Sequence, residues 1–336
     1  MTTTKPRLHY IDFMKGLCIL FIVIFHTWPQ GFDLLGSHVN YTLESFRIPM
    51  YYFISGIFFK LYDGIGDFVR RKVNNMLVPL AFFFVLACLV IALVRLVPPL
   101  QHIFMPLDVL VMNPNSVNLP LWFLVSLFEV NVIYYALQRY LPGRWWTMLS
   151  CLLLGVGGHA LSTRGIELPL MFNTALLGIP YFALGSLMRH AGALKPHKLD
   201  YLGPVVLVAA MACIYPLAQE IDLFNLHLPS LPYLYLVPPV SILSLLWACK
   251  RLPYIPGVCY VGRYSLVVLG THFPLIRIIG NTLYLLNGNQ WPPHTHQLTC
   301  LILIILEFGI IWLFIRVFPR FTAQKELFGP GWRLTH

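Results

Sequence analysis

The sequence has little charge: Asp, Glu, Lys and Arg together account for 11% of its 336 residues. Soluble domains carry about 25%, so this chain lacks the side chains to cover a wetted surface, which excludes a soluble globular class. Lipid is the solvent for most of it. Cysteine pairs are missing too. Cys18, Cys88, Cys151, Cys213, Cys249, Cys259 and Cys300 lie singly in or beside apolar stretches, and their number is odd. Neither a disulfide framework nor a zinc site is suggested, and small buried hydrophobes are the better reading. No Gly-Lys-Ser/Thr phosphate loop occurs, which argues against a nucleotide-driven pump. No internal repeat, low-complexity tract or appended soluble domain is expected. The formal charge of +10 does not point to nucleic acid, because the basic residues form no stripe and fall between apolar spans.

What is present is apolar sequence in long runs. Stretches such as Met76 to Val97 and Leu298 to Val317 reach the roughly 20 residues needed to cross a bilayer. Trp28, Trp122, Trp145, Trp146, Trp291 and Trp312 flank such runs as interface belts do. The first run follows Lys5 and Arg7 without a small-residue cleavage site after it, and reads as an uncleaved helix. Membrane spans are expected at about 12–32, 45–61, 75–97, 119–139, 145–161, 170–189, 202–219, 231–249, 262–285 and 297–318.

Charge in the connections supports that pattern. With the N-terminus taken as cytoplasmic, alternate connections hold Lys60, Arg70, Arg71 and Lys72; Arg139 and Arg144; Arg189, Lys195 and Lys198; and Lys250, Arg251 and Arg263. The tail adds Arg316, Arg320, Lys325 and Arg333. On the opposite side, residues 98–118, 220–230 and 286–297 contain no Lys or Arg, and Arg164 stands alone. Basic residues gather on the cytoplasmic side, so the expected fold is an all-α polytopic bundle of about ten spans with both termini cytoplasmic. It forms one membrane-embedded domain over residues 1–336. Pro49, Pro180, Pro216, Pro238, Pro239 and Pro274 fall in or near spans. They imply kinks, tolerated where neighbouring groups satisfy the freed carbonyls.

Ionisable residues inside spans are the informative exceptions, since each costs at least ~2.5–3.5 kcal/mol at mid-bilayer on insertion scales. The first span holds Asp12, Lys15 and His26. Lys15 and His26 are eleven residues apart, almost three turns, so they share a face roughly 16 Å apart along the axis. Asp12 is placed to pair with Lys15 at the cytoplasmic end. On spacing alone Lys15 is either a working cation or a snorkelling anchor, and His26 either a titrating group or a core histidine bonded to a carbonyl.

Five segments in order give the sequence a resemblance. Asp12-Phe13-Met14-Lys15-Gly16-Leu17 continuing to His26, Phe46 through Ser55-Gly56, and Phe68-Val69-Arg70-Arg71-Lys72 through Pro79 form the first three. Leu121-Trp122-Phe123-Leu124 and Gly262-Arg263-Tyr264-Ser265-Leu266 through His272 complete the set. Together they resemble the acyltransferase-3 family of membrane O-acyltransferases, whose first helix carries a basic residue, ten residues, then His. The departures are Lys15 where Arg is commoner, Asn74 and Asn75 where further basic residues are frequent, and Arg47 where His is frequent. The longer members' secreted hydrolase-like domain is not expected to follow.

The resemblance implies an enzyme of the bacterial inner membrane that takes an acyl group, acetyl first, from cytoplasmic acyl-CoA. The acceptor is a hydroxyl on a glycan or lipid-linked saccharide. It makes His26 the catalytic histidine, either as general base or as an acyl relay, which suits an imidazole near neutral pH. Arg70, Arg71 and Lys72 then hold donor phosphates, and Lys15 binds a phosphate or orients the thioester. The positive-inside signal explains the same three residues equally well. His272 is a second catalytic or orienting group, or structural. Glu129 and Glu307 are isolated acids, each able to orient a histidine or to pair with Arg47, Arg95 or Arg277. Glu129 ranks higher, two turns after Trp122 on the same face. Ser55 and Ser265 read as packing serines rather than nucleophiles. His294 and His296 lack a third local ligand, so no metal is expected, and Asn40-Tyr41-Thr42 matches a glycosylation acceptor only by pattern. The competing class is an exporter of a polysaccharide or lipid-linked glycan, since kinked helices with buried charge also suit a translocation path. An exporter does not need His26.

Overall fold

The computed structural model describes residues 8–27, 37–98, 117–286 and 296–317. Lys5, Arg7, Trp28, Trp291, Pro292, Pro293, Arg320, Lys325, Arg333, most of the 98–118 connection and the side chains of His294 and His296 lie outside them. Among the described residues every named element is helical, as lipid requires of a backbone that must satisfy its own N–H and C=O groups. The helices are α1 His9–Thr27, α2 Ser37–Arg47, α3 Pro49–Ile57, α4 Ile65–Lys72, α5 Val78–Arg95, α6 Trp122–Tyr140 and α7 Arg144–Thr163. They continue with α8 Phe172–His190, α9 Gly203–Ile214, α10 Leu231–Cys249, α11 Pro256–Arg263, α12 Ser265–Leu286 and α13 His296–Val317.

Six helical runs among the described residues are long and apolar enough to cross a membrane: His9–Thr27, Ile65–Arg95, Leu119–Tyr140, Lys198–Leu217, Leu231–Cys249 and Cys300–Val317. The expected span at 75–97 is part of a longer helix. A π-helical turn over Val73–Leu77 joins α4 to α5 in one 31-residue run, so Arg70, Arg71 and Lys72 ride on the helix itself rather than in a connection. Pro79, which has no N–H and crowds the carbonyl four residues earlier, sits at the start of α5, where a wide turn relieves that clash. The expected span at 45–61 is divided: α2 ends at Arg47 and α3 starts at Pro49, with Ile48 between. The 9 residues of α3 rise only ~13.5 Å, less than the hydrocarbon thickness.

The chain divides into two compact units. The first comprises Met1–Phe21, Leu35–Leu61 and Val130–Ser265. In it α8 packs against α3 and α7, and α9 pairs with α10. Glycine sets the α3–α8 crossing. A Cβ on Gly56 would collide with the Phe182 carbonyl, and one on Gly185 with the Phe53 carbonyl. The two backbones therefore touch, as small residues allow between helices in lipid. Arg189 donates to the carbonyls at the end of α3 and just beyond it, at 3.2 Å from Ile57 and 2.8 Å from Phe59. Pro238 lies inside α10 and leaves the Leu234 carbonyl without its helical donor; the buried Tyr181 hydroxyl donates to that oxygen at 2.5 Å. Buried Arg47 meets Glu44 at 3.3 Å, one turn back on α2.

The second unit comprises Ile22–Leu34, Tyr62–Glu129 and Leu266–His336. Its apolar centre includes Ala87 and Ile91 of α5 packed on Val117, with Ile278 of α12 against them. A Cβ on Gly270 of α12 would strike the Phe83 ring, so α12 lies close on α5 at that turn.

Candidate active site

His26 closes α1 and His272 sits in α12, and their ring centroids lie 5.5 Å apart within the second unit. His26 is partly exposed; Phe25 and Phe273 stand edge-on to it at 5.6 and 5.8 Å. His272 is fully buried. Its Nδ1 is 2.8 Å from the Val268 carbonyl oxygen. A carbonyl only accepts, so Nδ1 carries the proton and Nε2 keeps its lone pair. That Nε2 has no hydrogen-bond partner among the described residues. An imidazole of fixed tautomer thus stands beside a more accessible one, an arrangement able to accept and pass on a proton.

Two further side-chain contacts, Thr27 with Glu307 and Asn118 with Gly270, hold this corner of the unit. Thr27, the residue after His26, bonds the Val23 carbonyl at 2.8 Å and lies 3.2 Å from Oε2 of Glu307. Glu307 of α13 is 1% exposed, so an acid of α13 is tied to α1 next to His26. Glu129 is buried on α6. Asn118 precedes the 3-10 turn Leu119–Leu121 that leads into α6, and its side-chain amide donates to the Gly270 carbonyl at 2.8 Å. Sequence reasoning passed over Thr27 and Asn118. A signal for Asn118 existed, because Pro274 announces an orphaned carbonyl at Gly270, but nothing in the sequence says which donor answers it.

The expected donor-side residues have their own settings. In the first unit, Lys15 is partly exposed, with Nζ 5.8 Å from the Phe58 ring centroid. The Tyr51 hydroxyl donates to the Lys15 carbonyl at 2.8 Å. A Cβ on Gly262 of α11 would collide with the Asp12 carbonyl, and one on Gly16 with the Val258 carbonyl. Segments far apart in sequence, around Asp12, Tyr51 and Gly262, therefore meet at one turn of α1. Asp12 is buried there. Helix α1 is unbroken from His9 to Thr27, which keeps Lys15 and His26 on the shared face their spacing implies.

In the second unit Arg70, Arg71 and Lys72 end α4. Being consecutive, they fan over about 200° of the helix. Arg71 is exposed and stacks over Tyr62 at 5.0 Å, and Lys72 lies over Phe68 at 5.5 Å.

Among the described residues one trio has a metal-ligand composition. Glu220, Asp222 and His227 bring ligand atoms within 4.8 Å of one another. Asp222 is already used in shaping its turn, accepting from the Phe224 and Asn225 N–H groups at 2.9 and 3.0 Å. The Asn40 amide donates to Glu44 at 2.9 Å.

The family model described as the acyltransferase domain, of acyltransferase-3 type, matches residues 8–315, nearly the whole chain. No curated protein and no solved structure matches. The chain therefore belongs to the acyltransferase-3 family, and it is a multi-pass membrane enzyme of the O-acyltransferase type.

Proposed function

We propose that the enzyme moves an acyl group, acetyl first, from cytoplasmic acyl-CoA to a hydroxyl of a glycan or lipid-linked saccharide at the bacterial inner membrane. The pairing of His26 with His272 at 5.5 Å carries the reading. His26 takes the proton of the acceptor hydroxyl as its oxygen attacks the thioester carbonyl; the C–S bond breaks, and the imidazolium returns the proton to the departing thiolate. The relay version splits this into two transfers through an acyl-imidazole on His26. His272 presents a lone pair at Nε2 and orients His26 or the acceptor. Glu307, through Thr27, and Glu129 are the candidate acids that steady this group.

Lys15 binds a donor phosphate or orients the thioester, with Asp12 as its ionic neighbour, and the guanidinium and ammonium groups of Arg70, Arg71 and Lys72 attract the phosphates of CoA. We place ten spans in one acyltransferase domain over residues 1–336 with both termini cytoplasmic. That topology rests on the basic connections and puts these cations on the side where acyl-CoA is found. Membranes containing the protein, given labelled acetyl-CoA and crude host glycolipids, are expected to move label into the glycolipid fraction faster than membranes lacking it. If no label transfers and the purified protein does not bind acetyl-CoA, the CoA reading fails and the glycan exporter replaces it.

A further inference from the structure

We infer that Asn118 is a positioning residue: its amide replaces the backbone donor that Pro274 removes from α12 and so fixes the turn that aims His272 at His26. The inference rests on the proposed role of His272, but its geometric half stands independently. Pro274 lies inside α12 and has no N–H, so the carbonyl four residues earlier, that of Gly270, loses its helical partner. A buried carbonyl left unpaired in lipid is costly. Asn118 supplies the missing donor at 2.8 Å. Because the partner is a carbonyl, the amide nitrogen must face it, which settles the orientation of the side chain.

The donor is itself held rigidly. Asn118 is 2% exposed, and neighbouring Val117 is fully buried on Ala87 and Ile91. The Asn118 carbonyl accepts from the Leu121 N–H at 3.2 Å. Phe83 occupies the space beside Gly270 where a Cβ would stand. The Gly270 turn is thus gripped by Phe83 and by Asn118, and the next residue but one is His272. The same turn contains the Val268 carbonyl that sets the His272 tautomer. If the grip is released, the turn shifts, and the ring moves relative to His26.

The logic gives a specific rescue. Pro274→Ala restores a backbone N–H for the Gly270 carbonyl and makes the Asn118 amide redundant. Wild type, Asn118→Ala, Pro274→Ala and the double variant are compared in two readouts: diethyl pyrocarbonate modification of His272, followed by peptide mass spectrometry, and acetyl transfer from acetyl-CoA. Asn118→Ala is expected to raise His272 modification several-fold and to lower kcat by ~10-fold or more with little change in KM for acetyl-CoA. The double variant is expected to return to the level of Pro274→Ala in both. If Asn118→Ala alone does not fold, adding Asn118→Ala to Pro274→Ala is expected to be silent. Wild-type behaviour of Asn118→Ala, or an undiminished defect in the double variant, overturns the inference. Absence of transfer in wild type would sink the proposed function while leaving the modification readout to decide the role of Asn118.

Discussion

The rings of His26 and His272 lie 5.5 Å apart, on helices separated by more than two hundred residues of sequence, and the two histidines are not equivalent. His272 is fully buried with its Nδ1 proton committed to the Val268 carbonyl, whereas His26 is partly exposed at the end of α1. In the proposed mechanism the more accessible ring meets substrate and the buried one accepts from it. Replacing His272 by Gln, which keeps polarity but not the imidazole lone pair, is expected to lower kcat by about 10²-fold. Acetyl-CoA binding should be retained. Steady-state transfer and equilibrium binding on the same preparation check this; unchanged kcat would make His272 purely structural.

Lys15 is expected to act on the donor. Lys15→Ala should raise KM for acetyl-CoA by roughly 10-fold, the scale of one charge-assisted contact, while Lys15→Arg keeps the cation and most of the affinity. The loss in Lys15→Ala should shrink as salt rises, since screening weakens the contact in wild type first. A KM unmoved by Lys15→Ala would leave the residue an interfacial anchor.

Tyr181 and Pro238 form a second case of a proline answered by a side chain. Tyr181→Phe removes the hydroxyl that meets the Leu234 carbonyl and should cost ~1–3 kcal/mol of stability. Thermal unfolding in detergent measures it. Pro238→Ala in the same chain should restore most of the loss by returning a backbone donor.

The crossing of α3 and α8 has no room for side chains at its two glycines. Gly56→Val or Gly185→Val should destabilise by about 3 kcal/mol or more, seen as loss of folded protein in detergent. Gly157 on α7 has open space where its Cβ would stand, so Gly157→Ala should be neutral or stabilising by up to ~1 kcal/mol. Equal sensitivity at all three positions would contradict the close approach.

These contrasts also mark what was legible in the sequence. Composition gave the helical membrane class, because scarce charge and long apolar runs leave the backbone no other way to satisfy itself in lipid. The ordered segments from Asp12 to His272 gave the family, and three of them meet in the contacts of Asp12, Tyr51 and Gly262. The helix carrying Arg70 begins before the apolar run does, because hydropathy falls there although the helix continues through a π turn. The apolar run across Ile48 likewise hides a division into two helices. Asn118 and Thr27 could not be singled out for a different reason. Each acts through a contact across more than one hundred and fifty residues, and a polar residue at a span edge looks the same whether it faces water or an orphaned carbonyl.

The most direct test of the central claim compares purified wild type with His26→Ala at matched amounts of folded protein. It follows transfer of labelled acetyl from acetyl-CoA to glycolipid together with release of free CoA thiol. Both signals are expected to fall together by at least ~10²-fold in His26→Ala, with acetyl-CoA still bound. Transfer that persists in His26→Ala would contradict the claim.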